Sequence, residues 1–474
     1  MEARDILTRL YRAAIAAVDP AALVSEALGR RGAGVFVRSV SSRARREKYA
    51  AFAAASALLS KWDEFVFAPR RVAVLAVGKA AVPMAAAAHA NLGARIDEML
   101  VVAPEDAPFR TLPPVTRTIG ARHPFPGESS LVAGEAALSL ASSLGKGDLF
   151  VVLLSGGGSS LLCAPAPGIS LWDKSRTSEL LFAAGAPIAD VNAVRAALSR
   201  LKGGRLASAA GAADVVTLVL SDLGDDGWHL VASGPTLGSP PRPSEARAVL
   251  DRYQIAPLVP PSVRAHLSNG HEPIPARSGG PRWSVLLADV RTALEGARVE
   301  ALRLGIEPRV VPELLSGEAR AAGRRLAFAG ATAGDLRHGL STLARKRHVT
   351  LFGGETTVTV KGRGRGGRNR EVALSAAREI AEVSGLTMLC AGTDGVDHEP
   401  DAAGAFVDGA TLARAEALGL DPARALLDND TAPFFQALGD AFSPGPTGTN
   451  VGDVAFVLGP PVAGDDPPGI LQPA

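Results

Sequence analysis

The chain reads as an α/β protein with two α/β/α sheet domains and its ligand site in the cleft between them. Three observations lead to this reading. Short β-branched runs alternate with Ala/Leu-rich stretches of helix length, glycine-rich turns follow several of those runs, and a proline-rich stretch at 239–281 interrupts the alternation once. Continuous apolar strands separated by helix-length segments indicate a parallel sheet buried on both faces. At 474 residues the chain is too long for one ordinary core, and a hydrophobic content of 47% provides material for two. The proline-rich stretch therefore divides an N-terminal domain, 1–260, from a C-terminal domain, 282–474.

The first domain opens with a stretch at 6–60 whose apolar residues recur at helical spacing. Strands are expected at 72–77, 99–103, 149–154 and 215–220, with a helix running from Lys79 to His89. In the second domain strands are expected at 285–288, 349–352, 356–361, 387–391 and 454–458, and helices at 292–305 and 369–381. Gly353, Gly354 and Glu355 read as a turn between two of these strands, and the Pro/Gly-rich tail after Gly459 as frayed.

Composition excludes several classes. A net charge of +2 gives no global attraction to nucleic acid or anionic lipid. Arg43, Arg45, Arg46 and Lys48 form a short basic run of the kind found on solvated helix faces. Two cysteines, Cys163 and Cys390, cannot build a disulfide framework or a four-thiolate zinc site, and a reducing cytoplasm is the expected compartment. No run of about 18 uncharged apolar residues suggests a membrane span, and the N-terminus lacks the pattern of a signal peptide.

The strongest chemical signal is Ser155, Gly156, Gly157, Gly158, Ser159 and Ser160, directly after the apolar run 149–154. Three glycines let the backbone turn with its N–H groups converging, the serines add donors, and a helix starting near Ser159 would add its dipole. The bland reading is a tight turn, for which one glycine would suffice. Lys79 follows Gly78 just past a strand, where a side chain points into the ligand crevice of a parallel sheet. The P-loop pattern occurs nowhere. The run from Lys361 to Glu371 satisfies the spacing G-x-G-x-x-G with Gly362, Gly364 and Gly367, yet Arg363, Arg365, Arg368 and Arg370 crowd it. Guanidiniums suit a highly charged phosphate better than a dinucleotide turn, which needs small neighbours.

Asp222, Asp394 and Asp397 follow expected strands and could hold magnesium, orient a hydroxyl, or simply cap turns. Asn192, Arg195, Lys202 and Arg205 form a further polar cluster, with Arg195 a candidate to face the cleft. The histidines show no metal-ligand spacing, and His123 reads as a structural loop residue.

Together these segments resemble the glycerate 2-kinase family, also called the MOFRL family after its C-terminal domain. The resemblance runs through Gly78-Lys79-Ala80, His123 to Pro126, Ser155 to Ser160, Asn192 to Arg195, Lys202 to Leu206, Ser221-Asp222 and Ala232 to Thr236. It continues through Gly317 to Ala319, Gly353 to Thr357, Gly366 to Asn369 with Glu371, Gly392 to Asp397 and Thr447 to Asp453. All occur in the family's order. The resemblance implies a Rossmann-like N-terminal domain and a smaller MOFRL-type C-terminal domain. It implies ATP-dependent phosphorylation of the C2 hydroxyl of D-glycerate, with magnesium, giving 2-phosphoglycerate. Its partners would be a hydroxy acid and a nucleotide, not nucleic acid or membrane, and a homodimer is an allowed assembly.

In such a protein Lys79 and Arg368 match the central catalytic pair, approaching the transferring group from the two domains. Asp222 and Arg195 would join them. The loop 155–160, Gly366 and Asn369 would bind phosphate, and Asp222 or Asp394 would hold the metal. The chain departs from the family where Ala196 and Ala197 follow Arg195, where Gly224-Asp225-Asp226 comes one residue early, and where Ala288-Asp289 replaces Ser-Asn. Two other readings remain open: an NAD(P)-dependent hydroxypyruvate reductase, and a family member that binds nucleotide with weak or altered activity.

Overall fold

The computed structural model describes residues 2–38, 64–114, 116–123, 125–224, 227–238, 241–269, 280–335 and 347–459. The basic run from Arg43 to Lys48, most of the tail and part of the proline-rich stretch lie outside the described residues. The chain forms two compact units, Asp19–Ala288 and Met1–Val18 joined with Asp289–Ala474.

The first unit is built on six strands: β4 (Val72–Val77), β5 (Glu98–Pro104), β6 (Thr116–Ala121), β7 (Leu149–Leu154), β8 (Asp214–Leu220) and β9 (Arg282–Ala288). They lie in the order β6-β5-β4-β7-β8-β9, and every pairing is parallel. β4 and β7 are buried at every position. That explains their uninterrupted Val, Leu and Ala content, since a strand covered on both faces has no polar side to alternate with. The strand order reverses between β4 and β7, and ligands of open parallel sheets bind at the carboxyl ends of the strands flanking such a reversal. Val77 pairs with Leu154 there, so Gly78 and Ser155 begin adjacent loops.

The opening stretch departs from the expectation of continuous helix. Helices Ala3–Ala17 and Pro20–Ala27 are followed by strands β1 (Leu28–Arg31) and β2 (Gly34–Arg38), which form a small antiparallel sheet with β3 (Glu64–Phe67). Alternating burial in β2 marks it as a half-covered strand.

The second unit holds β10 (Glu307–Val310), β11 (His348–Gly354), β12 (Thr387–Gly392), β13 (Gly404–Asp408), β14 (Ala441–Phe442) and β15 (Asp453–Leu458). Their order is β10-β11-β15-β12-β13-β14, and only β10 with β11 is parallel. This sheet is mixed rather than parallel, a distinction that apolar runs cannot carry because both central arrangements bury both faces. The segment 356–361, expected as a strand, makes only an isolated bridge between Thr357 and Glu318.

The expected boundaries also shift. β9 completes the first sheet beside β8, so the first unit extends through Ala288 rather than stopping near 260. Helix Ala3–Ala17 belongs to the second unit, burying Leu7, Leu10, Tyr11 and Ala14. It lies against helix Val290–Arg303 at Gly296, where a Cβ would stand 2.5 Å from the Ala13 carbonyl oxygen. Gly296→Val is therefore expected to destabilise the second unit by about 1–3 kcal/mol through overpacking. A melting temperature unchanged from the wild type would refute that packing.

Candidate active site

In the first unit three loops leave the carboxyl ends of adjacent strands β4, β7 and β8, carrying Lys79, the loop 155–160 and Asp222. The Lys79 amide donates to the Gly156 carbonyl at 2.9 Å, and the Ala80 amide donates to Ser155 Oγ at 3.0 Å. Ser155, read from sequence as a phosphate donor, is fully buried and ties the two loops together. Gly78 (φ 126°) lies so close to Ser155 that any side chain would strike its backbone. Gly157 (φ 84°) turns the chain, and a Cβ there would meet the His123 ring at 3.1 Å and Lys79 Cγ at 3.2 Å. The side chains of Lys79 and His123 thus border the glycine turn. His123, read from sequence as a structural loop residue, follows β6, whose burial pattern is mixed rather than an apolar run.

The backbone amides of Gly156, Gly157, Gly158 and Ser159 have no acceptor among the described residues. Converging unpaired amides form an anion cradle. The helix that follows, Gly158–Leu161, is a single turn, so its dipole adds less than the sequence suggested. The Ser160 hydroxyl is used locally on the Gly157 carbonyl.

Beneath this loop lies a cluster of buried cations. Lys202 Nζ donates to the Ser159 carbonyl at 2.9 Å, the Ala232 carbonyl at 3.3 Å and Ser233 Oγ at 3.3 Å. Ser233 Oγ also bonds Asn192 Oδ1 at 3.0 Å and Ser159 Oγ at 2.9 Å. Arg195, expected as a catalytic residue, donates from Nε to Ser178 Oγ at 3.1 Å and stacks on Phe182 at 5.3 Å. Those contacts anchor it to helix Leu171–Ala183. Ala196 and Ala197 are buried, so their small apolar side chains serve packing.

Lys174 donates to the Leu198 carbonyl at 3.1 Å. Burial, joined by repulsion from Arg195 and Arg205, lowers its pKa to about 8, while Cys163 opposes the shift. A lysine depressed in the folded state keeps its proton only in the unfolded chain between the two pKa values. Stability should therefore rise with pH from about 8 towards the ordinary 10.5, by roughly 3 kcal/mol over the window. Chemical denaturation across that range should show the rise, and Lys174→Met should lessen its slope while Lys202 keeps its own share; an equal slope in both proteins would contradict the assignment.

Asp222 follows Ser221, whose hydroxyl accepts from the Leu223 amide at 3.1 Å, and sits half-buried beside the crevice. Asp225 and Asp226 lie outside the described residues.

In the second unit the registers Gly354↔Asp453 and Gly392↔Asp453 bring Glu355, Asp394 and Asp453 to one end of the sheet. Helix Arg368–Glu379 starts there. Arg368 holds Asp453 in a two-point ion pair, Nε to Oδ2 at 2.5 Å and Nη2 to Oδ1 at 2.9 Å, and meets Glu355 at 2.9 Å through Nη1. Burial opposes its charge, but Asp453 and Glu355 outweigh that and hold the guanidinium firmly protonated.

The backbone of the arginine-rich loop is tied to a neighbouring segment. The amides of Lys361 and Gly362 donate to Asn429 Oδ1 at 2.8 and 3.0 Å, Arg365 N to Asp430 Oδ1 at 2.8 Å, and Gly364 N to the Asp428 carbonyl at 2.9 Å. Its glycines lie flat on this neighbouring backbone, and a Cβ at Gly366 would strike Thr431 Oγ1. A dinucleotide turn needs such amides for pyrophosphate; here the chain's own acceptors take them. The helix N-terminus is likewise filled by Asp397, which accepts from the Asn369 and Arg370 amides at 2.9 Å each. Asn369 Nδ2 bonds Asp453 Oδ1 at 3.0 Å, so Asn369 and Gly366 serve the loop's architecture. Arg370 is fully buried against Asp397 and Asp401.

Asp394 is half-buried, with Oδ1 accepting from the Val396 amide at 3.1 Å. Hard carboxylate oxygens suit magnesium, which takes one or two such ligands and completes its shell with phosphate oxygens and water. Asp222 and Asp394 belong to different units, and no group of three acidic, His or Cys side chains with metal-binding geometry occurs among the described residues.

A doubly wound parallel sheet with a glycine loop and a lysine at its switch point, accompanied by a mixed-sheet unit bearing an arginine–carboxylate cluster, makes an α/β protein of two units. Residues 6–268 match the model of a domain of unknown function, DUF4147, and residues 348–453 match the MOFRL family. The D-glycerate 2-kinase of Thermotoga maritima is 36% identical over 397 residues, covering 82% of this chain and 90% of its own. The crystal structure of glycerate kinase from that organism superposes with a TM-score of 0.75 at 32% identity, covering 96% of this chain and 99% of its own. A relative from Agrobacterium vitis, provisionally described as a hydroxypyruvate reductase, is 36% identical over 97% of this chain and 95% of its own. The chain belongs to the glycerate 2-kinase family of MOFRL type.

Proposed function

We propose that this chain phosphorylates the C2 hydroxyl of D-glycerate with ATP. The observation that carries the reading is the set of four unpaired amides, Gly156 to Ser159, beside Lys79 at the switch point of a Rossmann-like sheet. In phosphoryl transfer the protein contributes position and charge neutralisation more than covalent chemistry. The loop 155–160 holds nucleotide phosphate, and Lys79 reaches the transferring group. Asp222 orients the C2 hydroxyl and accepts its proton as the new O–P bond forms and the bond to the ADP oxygen breaks. Asp394 is the residue suited to hold magnesium, which when bound offsets phosphate charge.

Arg368 is the cationic residue the reading assigns to charge neutralisation, its guanidinium oriented by Asp453 within its own unit. Its tight carboxylate partners make it a pre-oriented group rather than a mobile clamp. The cytoplasm is the compartment in which two buried free thiols and an ATP requirement are most readily satisfied. Among the described residues no helix is long and apolar enough to cross a membrane.

The reductase reading would need a dinucleotide turn. The glycine spacing that suggested one, in the loop 362–367, has its amides bonded to Asn429, Asp430 and Asp428. ADP release coupled to D-glycerate consumption, with the phosphorylated carbon identified, tests the kinase. NADH oxidation by hydroxypyruvate without ATP would replace it.

A further inference from the structure

The buried ammonium of Lys202 has no place in the reaction as set out above, yet it lies directly under the amide cradle. We propose that Lys202 is the positioning residue of the phosphate loop: it binds the Ser159 carbonyl and so fixes the backbone that presents the loop's amides to the nucleotide. The inference rests on the reading of loop 155–160 as the nucleotide phosphate cradle.

Four observations converge on it. Lys202 is 2% exposed and bonds only neutral oxygens, those of Ser159, Ala232 and Ser233. A buried cation without a carboxylate is costly, so its retention calls for a use. One of its three acceptors is a carbonyl of the cradle itself. Fixing the Ser159 carbonyl fixes the backbone of the residue that carries the cradle's last amide. The second anchor is a backbone kept in an unusual conformation: Ala232 (φ 55°), Ser233 (φ 61°) and Gly234 (φ 57°) are consecutive left-handed residues.

Alanine and serine rarely adopt that region, and the surrounding structure must hold them there. The conformation directs the Ala232 carbonyl and the Ser233 hydroxyl to the ammonium. It is braced by Gly203 N donating to the Ser233 carbonyl at 3.1 Å and Gly204 N donating to the Gly234 carbonyl at 2.8 Å. Ser233 Oγ then links to Ser159 Oγ at 2.9 Å, closing a ring from Lys202 through the turn back to the cradle.

The charged and titratable groups facing Lys202 are Lys174, Arg195, Arg205 and Cys163. Three are cationic. Burial, with Lys174 and Arg195, depresses the proton affinity of Lys202, and Cys163 opposes them. A depressed lysine loses its charge at a lower pH than a solvated one, so the cradle should weaken as pH rises.

The test is calorimetric titration of the full chain with ATP, without hydroxy acid, as wild type, Lys202→Met and Lys202→Gln. Methionine matches the lysine stem and keeps the core filled. The proposal expects Kd for ATP to rise on the order of 30-fold in Lys202→Met and less in Lys202→Gln, which retains a donor. KM for D-glycerate should stay within about twofold. It also expects wild-type Kd to rise with alkaline pH and the folded Met variant to lose that dependence. A folded Met variant that binds ATP within about threefold of wild type overturns the proposal. If neither variant folds, wild-type affinity flat with pH overturns it and an alkaline loss supports it. A wild-type chain that binds no ATP removes instead the reading of the cradle, a separate outcome visible in the first titration.

Discussion

Replacing Lys79 by alanine is expected to lower kcat/KM for ATP-dependent phosphorylation of D-glycerate about a thousandfold, with little change in stability. The side chain is half-buried at the switch point, and its Cγ lies against the position a Gly157 Cβ would take. Its backbone, not its side chain, carries the bond to Gly156 that joins the two loops. Loss of the ammonium should therefore leave the cradle assembled while removing the charge nearest the transferring phosphoryl group. Steady-state kinetics beside a thermal melt separates the two effects. Turnover within about tenfold of wild type would remove Lys79 from the chemistry, because a cation that follows developing charge contributes more than that.

Asp397→Ala is expected to destabilise the second unit by about 3–5 kcal/mol. Arg370 is fully buried, and its Nε and backbone amide both donate to Asp397 Oδ2, at 3.2 and 2.9 Å. The Asn369 amide uses the other oxygen at 2.9 Å. Alanine would strip a buried guanidinium of its main counter-charge and leave the first turn of helix Arg368–Glu379 without its acceptor. Asp401 remains as a partially exposed partner and limits the loss. Arg368 begins the same helix, so activity should fall together with stability. A melting temperature within about two degrees of wild type would show that Asp397 does not carry this helix start.

These two residues also show what the sequence conveys and what it withholds. The positions of Lys79 and the loop 155–160 at strand ends were legible because β4 and β7 are apolar at every position, and the turns after them interrupt that pattern sharply. A parallel sheet places such turns at one edge, so position follows from pattern alone. How the arginine-rich loop is held was hidden for the opposite reason. Its acceptors, Asn429, Asp430 and Asp397, come from distant segments, and nothing local to Gly362 or Arg370 announces them.

Pairing direction was hidden in the same way. β12 and β15 are as uniformly buried as β4 and β7, yet they run antiparallel. The early helix Ala3–Ala17 was recognisable as a helix, but its partner Val290–Arg303 lies nearly three hundred residues away, too far for any periodicity to register. Lys202 was seen as one member of a polar cluster; its three acceptors sit on two other segments, and burial alone distinguishes it from a surface lysine.

The central claim, that the cradle and Lys79 serve phosphoryl transfer to a hydroxy acid, is tested most directly by incubating the full chain with ATP, magnesium and D-glycerate and identifying the product. The account predicts stoichiometric ADP and 2-phosphoglycerate. NADH consumption with hydroxypyruvate, and no ADP formed from any hydroxy acid, would contradict it.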